Sequence, residues 1–125
     1  MKKILIIEDE QDIVDIATMI LEDEGYEVSS FTEFSDFETK VANSHADLVL
    51  LDLNLNGFSG EQICRYIKAS THLKQTSVVL MSANKNIREV KEEAGADGFI
   101  SKPFDLSHFI DTIKAHINKK GYSLI

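Results

Sequence analysis

The sequence has little of several residue types that would point to particular classes of protein. Its single cysteine, Cys64, cannot form an internal disulfide, and no Cys/His spacing is present that would hold zinc or an iron–sulfur cluster. A reducing compartment therefore fits the chain. Only one proline, Pro103, occurs, and no proline-, serine- or glycine-rich linker divides the 125 residues. We therefore expect one domain over residues 1–125.

Long apolar stretches and a net positive charge are also lacking. No apolar run approaches the roughly 20 residues that a membrane-spanning helix needs. The short apolar run at residues 4–7 is followed at once by acidic residues, so we expect no secretion signal, no membrane partner and a cytoplasmic location. The net charge is −8, whereas nucleic-acid binding relies on clustered Lys and Arg. We therefore expect no direct contact with nucleic acid.

Continuously apolar runs indicate strands that are buried on both faces, which is typical of a parallel sheet. Three such runs lie at residues 4–7, 48–51 and 78–81, and weaker strand candidates lie at 27–30 and 98–100. Segments with helical periodicity separate them. Strand and helix thus alternate five times, which predicts an α/β fold. We expect a five-stranded parallel sheet in a doubly wound, flavodoxin-like (βα)5 arrangement, with strand order 2-1-3-4-5.

Apolar stripes and end signals place the helices. The predicted core stripe of the first helix comprises Ile13, Ile16, Ala17 and Ile20, and that of the last helix comprises Leu106, Phe109, Ile110, Ile113 and Ile117. Gly25 and Gly95 are placed to end the first and fourth helices. The predicted helix starts are Asp105 as an N-cap and the pairs Ser35/Glu38 and Ser59/Gln62 as capping boxes.

Polar side chains follow four of the five predicted strands. Glu8 and Asp9 follow the first strand, Asp52 the third, Ser82 the fourth and Lys102 the fifth. Because open α/β sheets bind ligands beyond the carboxyl ends of their strands, we expect these groups to converge at one edge of the sheet. Each residue alone is better explained as a cap, turn or solvated residue. Their joint placement favours a functional site.

The chemistry of these groups favours magnesium and phosphate. Three converging carboxylates repel one another, so the cluster either takes up protons or recruits a cation. Oxygen ligands without His or Cys suit Mg²⁺. A carboxylate can also attack phosphorus to form an acyl phosphate, and Asp52 is the best candidate. Lys102 could then pair with the phosphoryl group, and the Ser82 hydroxyl could donate a hydrogen bond to it.

The motifs at residues 4–10, 52–60, 78–83 and 95–104 resemble those of the CheY-like receiver domains of bacterial two-component response regulators. The resemblance extends from Lys3 to about Ile117. It implies that Asp52 accepts a phosphoryl group from a histidine kinase or a phosphotransfer protein. It also implies that Asp9 and Asp52 bind Mg²⁺ with the backbone carbonyl of Asn54, while Glu8 acts directly or through a coordinated water.

The resemblance further implies a switch. Ser82, the amide of Ala83 and Lys102 would engage the phosphoryl group, and Phe99 would turn inward as Ser82 moves. The surface of the fourth and fifth strands and helices would change with it. The Lys102–Pro103 bond is expected to be cis. Such a protein is a phosphoacceptor and not an enzyme beyond slow loss of its own phosphate.

The sequence departs from the common pattern of the family in places. Asn56 stands where proline is frequent, and Ser59 where an acidic residue often lies. Phe99 lacks the hydroxyl of the tyrosine often found there. The segment from 82 to 99 is shorter than usual, which shortens or shifts the fourth helix.

Two other functions remain open from the sequence. A phosphatase of the haloacid-dehalogenase type needs a second acid two residues after the nucleophile, where this chain has Asn54. A receiver-like interaction module that does not use phosphorylation is the other alternative. Dimerisation on phosphorylation is compatible with the sequence, but no residue pair supports it. The kinase, the downstream partner and any further effector domain are not specified.

Overall fold

Strands and helices alternate in the computed structural model, which describes residues 1–118. The strands are β1 (Lys3–Ile7), β2 (Glu27–Phe31), β3 (Leu48–Asp52), β4 (Asn54–Leu55), β5 (Phe58–Ser59), β6 (Ser77–Ser82) and β7 (Gly98–Ser101). The helices are α1 (Gln11–Asp23), α2 (Phe37–Ser44), α3 (Gly60–Ala69), α4 (Ile87–Ala94) and α5 (Leu106–Ile117), with a 3₁₀ turn at Thr71–Leu73. Positions 119–125 of the predicted domain lie outside the described residues.

The main sheet has five parallel strands in the order β2-β1-β3-β6-β7. Because β6 and β7 are the fourth and fifth predicted strands, the predicted flavodoxin-like order is confirmed. The sequence analysis did not predict the small antiparallel hairpin of β4 and β5, which follows β3. No helix within residues 1–118 combines the length and apolar character needed to cross a membrane.

Alternating residues of the buried strands supply two hydrophobic cores, one on each face of the sheet. One core packs the sheet against α1 and α5; its helix residues are Val14, Ala17, Leu21, Phe109, Ile113 and Ile117. The other core packs it against α2, α3 and α4; its helix residues are Val41, Ile63, Cys64, Ile67, Ile87 and Ala94. Burial of Cys64 raises the pKa of its thiol to about 12, which fits a packing role.

The predicted core stripe of α1 was wrong in part. Val14, Ala17 and Leu21 are the buried residues of this helix, whereas the side chain of Ile16 is 51% exposed. Apolar residues cover more than one face of α1, and packing against the sheet selected a face rotated from the predicted one. In α5 the stripe holds except at Leu106, which begins the helix and is 56% exposed.

The helix-start signals gave mixed results. Ser59 accepts a hydrogen bond from the amide of Gln62 over 3.2 Å, which is one half of the predicted capping box, and Asp105 caps α5 through the amide of His108 over 2.8 Å, as predicted. The predicted capping box at Ser35 was wrong. The Ser35 hydroxyl instead donates to Glu33, and α2 begins after Asp36, which has a left-handed backbone. Gly25 and Gly95 follow α1 and α4 as predicted.

Candidate functional site

The parallel strands deliver the candidate residues to one edge of the sheet. Glu8 directly follows β1, and Asp52 and Ser82 are the last residues of β3 and β6. Lys102 follows β7, and its amide donates to the carbonyl of Ser82 over 2.8 Å. Because these strands are adjacent and run in the same direction, their carboxyl ends bring acidic, hydroxyl and ammonium groups together.

Three carboxylates form the centre of this edge. Glu8, Asp9 and Asp52 each place one oxygen within 4.8 Å of the other two. Glu8 and Asp52 are buried, with 0% and 3% exposure, and Asp9 is half-buried. Each carboxylate accepts a hydrogen bond from a backbone amide. The donors are the amide of Glu10 to Glu8 over 3.2 Å, that of Asn54 to Asp52 over 3.1 Å and that of Asn56 to Asp9 over 3.0 Å.

The ammonium of Lys102 lies between two of these carboxylates. Its Nζ is 3.2 Å from Oδ2 of Asp52 and 3.4 Å from Oε1 of Glu8. Burial, and then a hydrogen bond and repulsion from Asp52, raise the pKa of Glu8 to about 7, although Lys102 opposes this rise. Burial lowers the pKa of Lys102, but the charges of Asp52 and Glu8 outweigh it and raise this pKa overall. The ammonium therefore stays charged, and one cation faces three acids.

The composition of the cluster fits a divalent cation. Its ligands are carboxylate oxygens that already lie close together, and burial, followed by the interaction with Asp52, raises the pKa of Glu8 although Lys102 opposes this rise. Mg²⁺ prefers such hard oxygen ligands and commonly shares its coordination with phosphate. The residues present are therefore suited to hold Mg²⁺.

The predicted phosphate-binding residues lie beside the cluster. Ser82 is fully buried, and its Oγ accepts a hydrogen bond from the amide of Asn84 over 3.0 Å. A hydroxyl can accept and donate at the same time, so its proton can still bind a ligand oxygen. Ala83 is exposed, and the Lys102–Pro103 bond is cis, as expected.

Phe99 lies one strand away from Ser82 on the same face of the sheet. Phe99 pairs with Leu80 in the β6–β7 register and Ser101 with Ser82, and side chains two residues apart on a strand point the same way. The ring of Phe99 is half-buried, and the guanidinium of Arg88 lies 5.2 Å from its centroid. The two predicted switch residues therefore share a face with α4.

Two features of the site were not found from the sequence. One is the hairpin of β4 and β5, whose amides reach Asp52 and Asp9; its signal was the Asn56-Gly57 dipeptide, which is typical of tight hairpins. The other is Gly60, the first residue of α3. A Cβ added there would lie 2.2 Å from the backbone oxygen of Asp52. No sequence pattern marks such a close approach.

The fold and the site define a doubly wound α/β protein with an acidic, lysine-containing edge. The chain belongs to the family of response regulator receiver domains, whose model matches residues 4–114. Among curated proteins it is 31% identical over 121 residues to the sensory transduction protein RegX3 of Mycobacterium bovis, covering 97% of this chain and 53% of that protein. It is 28% identical to the DNA-binding response regulator MtrA of Mycolicibacterium smegmatis, covering 94% of this chain and 51% of MtrA.

Solved structures agree with this family. The response regulator TrrA of Thermotoga maritima, determined in complex with Mg²⁺-BeF, is 27% identical and superimposes with a TM-score of 0.81 over 92% of this chain and 98% of that one. The chain spans about half the length of the curated relatives described above. The matched family and these relatives together identify the chain as a receiver domain of the response-regulator type, and the relatives are named as signalling proteins.

Proposed function

We propose that the chain is a phosphorylation-operated switch in which Asp52 accepts a phosphoryl group from a phosphohistidine. The donor would be a histidine kinase or a phosphotransfer protein. The observation that carries this proposal is the environment of Asp52. This carboxylate is 3% exposed, lies 3.2 Å from the ammonium of Lys102, and adjoins two further acids at the sheet edge.

In the transfer, a carboxylate oxygen of Asp52 bonds to phosphorus while the phosphorus–nitrogen bond to the donor histidine breaks. The imidazole leaves with the electron pair of that bond and takes up a proton. Lys102 exchanges its contact with the Asp52 carboxylate for one with a phosphoryl oxygen, and the Ser82 hydroxyl donates to another. Bound at Glu8, Asp9, Asp52 and the Asn54 carbonyl, Mg²⁺ would offset the negative charge of the phosphoryl oxygens.

Intact-mass measurement after incubation with MgCl₂ and acetyl phosphate tests this proposal. Wild type should gain the mass of one phosphoryl group only when Mg²⁺ is present. Asp52→Asn should gain none, because an amide cannot form the acyl phosphate.

A matched control is Asp47→Asn, which makes the same change at the carboxylate just before β3 and leaves the sheet edge unaltered. This variant should still be phosphorylated. A folded wild type that binds Mg²⁺ but gains no mass would contradict the proposal and favour an interaction module that does not use phosphate.

The partners follow from the same proposal. We infer that a histidine kinase or phosphotransfer protein docks at the acidic edge, and that a downstream protein reads the surface of β6, α4, β7 and α5. The expectation of no direct nucleic-acid contact rests on the net charge of −8 alone. It stays a prediction for these 125 residues, since MtrA is named as a DNA-binding response regulator.

A further inference from the structure

The hairpin of β4 and β5 supplies two of the backbone amides that bind the acidic cluster. The amide of Asn54 donates to Asp52, and the amide of Asn56 donates to Oδ2 of Asp9 over 3.0 Å. We propose that the Asn56 amide is a positioning group that orients the carboxylate of Asp9 for Mg²⁺. This inference deepens the proposed function and rests on its Mg²⁺ site.

Asp9 depends on this bond more than the other two carboxylates depend on theirs. Glu8 and Asp52 are buried, and each also contacts the ammonium of Lys102. Asp9 is half-buried, and within residues 1–118 its carboxylate accepts a hydrogen bond from the Asn56 amide. Repulsion from the neighbouring acids would otherwise favour rotation of Asp9 toward solvent. A charge-assisted N–H···O bond opposes that rotation.

The turn makes the Asn56 N–H available for this role. Leu55 and Phe58 pair across the hairpin, so Asn56 and Gly57 are its two central residues. Gly57 has a φ of +76°, whereas Asn56 stays outside the left-handed region, as in a type II turn. The hydrogen bond within such a turn joins its first and fourth residues and leaves the N–H of the first central residue unused. Proline is common at that same position.

The bond depends on the type of residue at position 56. A proline at this position would have no N–H to donate. The amide contact to Asp9 therefore requires a residue other than proline there. It adds a tether between the hairpin and the metal cluster.

Asn56→Pro removes the N–H from a turn position that accepts proline. We expect this variant to bind Mg²⁺ about 10-fold more weakly, since loss of a group that orients a metal ligand typically costs roughly 10- to 100-fold in affinity. Isothermal titration of the whole chain with MgCl₂, without phosphodonor, measures the change. Urea unfolding of the same samples without metal should show that the fold is retained.

Two variants separate the amide from the side chain and from the turn. Asn56→Ala keeps the N–H and should retain the wild-type affinity. Gly57→Ala strains the same turn at φ +76° but also keeps the N–H, and no atom lies within 4 Å of its added Cβ. The chemical shift of the Asn56 amide proton, measured in ¹⁵N-resolved spectra, should lie further upfield in Asp9→Ala than in wild type, because the charged acceptor is lost.

The outcomes distinguish the inference from the function on which it rests. Unchanged Mg²⁺ affinity in Asn56→Pro would overturn the inference, as would an equal loss in Asn56→Ala or in Gly57→Ala. If wild type is phosphorylated in a Mg²⁺-dependent way while Asn56→Pro binds Mg²⁺ normally, only the inference fails. If wild type binds no Mg²⁺, the inference and the metal part of the proposed function fail together.

Discussion

In the absence of metal, the ionised carboxylate of Glu8 lowers the stability of the folded protein. Its side chain is fully buried, and burial followed by the interaction with Asp52 raises its pKa from 4.5 to about 7. The folded protein therefore holds a proton on Glu8 that the unfolded chain releases at lower pH. Stability then falls as pH rises from about 4.5 to about 7, because the unfolded state loses its proton first.

We expect Glu8→Gln to be more stable than wild type at pH 8 in the absence of metal. The gain should be on the order of 1–3 kcal/mol, since each unit of pKa shift corresponds to about 1.4 kcal/mol. It should become small near pH 4.5, where Glu8 is protonated in the folded state and about half protonated in the unfolded one. Urea unfolding in EDTA across this pH range measures the difference.

Glu10→Gln is the matched control for that experiment, because it makes the same change two residues away on an exposed side chain. It should alter stability little at either pH. A gain in Glu8→Gln that is the same at pH 5 and pH 8 would show that side-chain packing, and not ionisation, is responsible.

Among the contacts between elements, the backbone of α3 approaches that of β3 closely at Gly60. The Cβ of any other residue would lie 2.2 Å from the backbone oxygen of Asp52 and 2.7 Å from the Cα of Leu53. Both atoms belong to the backbone that carries the candidate phosphoacceptor, so neither can yield without moving it. The close approach of α3 thus helps to set the position of Asp52.

Gly60→Ala should therefore lower both stability and phosphorylation. We expect a loss of about 3 kcal/mol in the free energy of unfolding, at the upper end of the usual cost of overpacking. Phosphorylation by acetyl phosphate should slow as well. Gly57→Ala adds the same methyl group where nothing lies within 4 Å, and should cost about 1 kcal/mol of backbone strain. Equal losses in the two variants, with equal phosphorylation rates, would contradict this interpretation.

The elements also show what the sequence could and could not predict. Strands β1, β3 and β6 were predicted correctly because both of their faces are buried, so each appears in the sequence as a short, continuous apolar run. The core face of α1 was not predicted correctly, because its apolar residues allow two stripes and only packing on the sheet selects between them. The hairpin of β4 and β5 is too short for a periodic signal. Contacts made by backbone amides, such as that of Asn56, depend on three-dimensional geometry, and no residue type in the sequence indicates them.

At the scale of the whole molecule, the sheet connects the acidic edge to the face that carries α4. Ser82 ends β6 beside the cluster, and Phe99 lies on β7 on the same face of the sheet. A phosphoryl group that favours the active state by about 2.8 kcal/mol would shift a two-state equilibrium roughly 100-fold. Hydrogen bonding to Ser82 and pairing with Lys102 are the interactions that could provide this preference. The guanidinium of Arg88 lies 5.2 Å from the centroid of the Phe99 ring, so a movement of this ring would change that contact.

Ser82→Ala tests whether Ser82 transmits the signal. We expect this variant to be phosphorylated on Asp52 but to lose the inward movement of Phe99, because no hydroxyl remains to follow the phosphoryl group. Nuclear Overhauser contacts of the Phe99 ring, with and without phosphodonor, measure the movement.

Ser77→Ala is the matched control: Ser77 is buried at the opposite end of β6, where its hydroxyl donates to the carbonyl of His116 over 2.8 Å. That variant should lose about 1 kcal/mol of stability and still switch. If Phe99 moves inward in phosphorylated Ser82→Ala, the signal does not pass through this hydroxyl, and Lys102 at the end of β7 becomes the connection to examine.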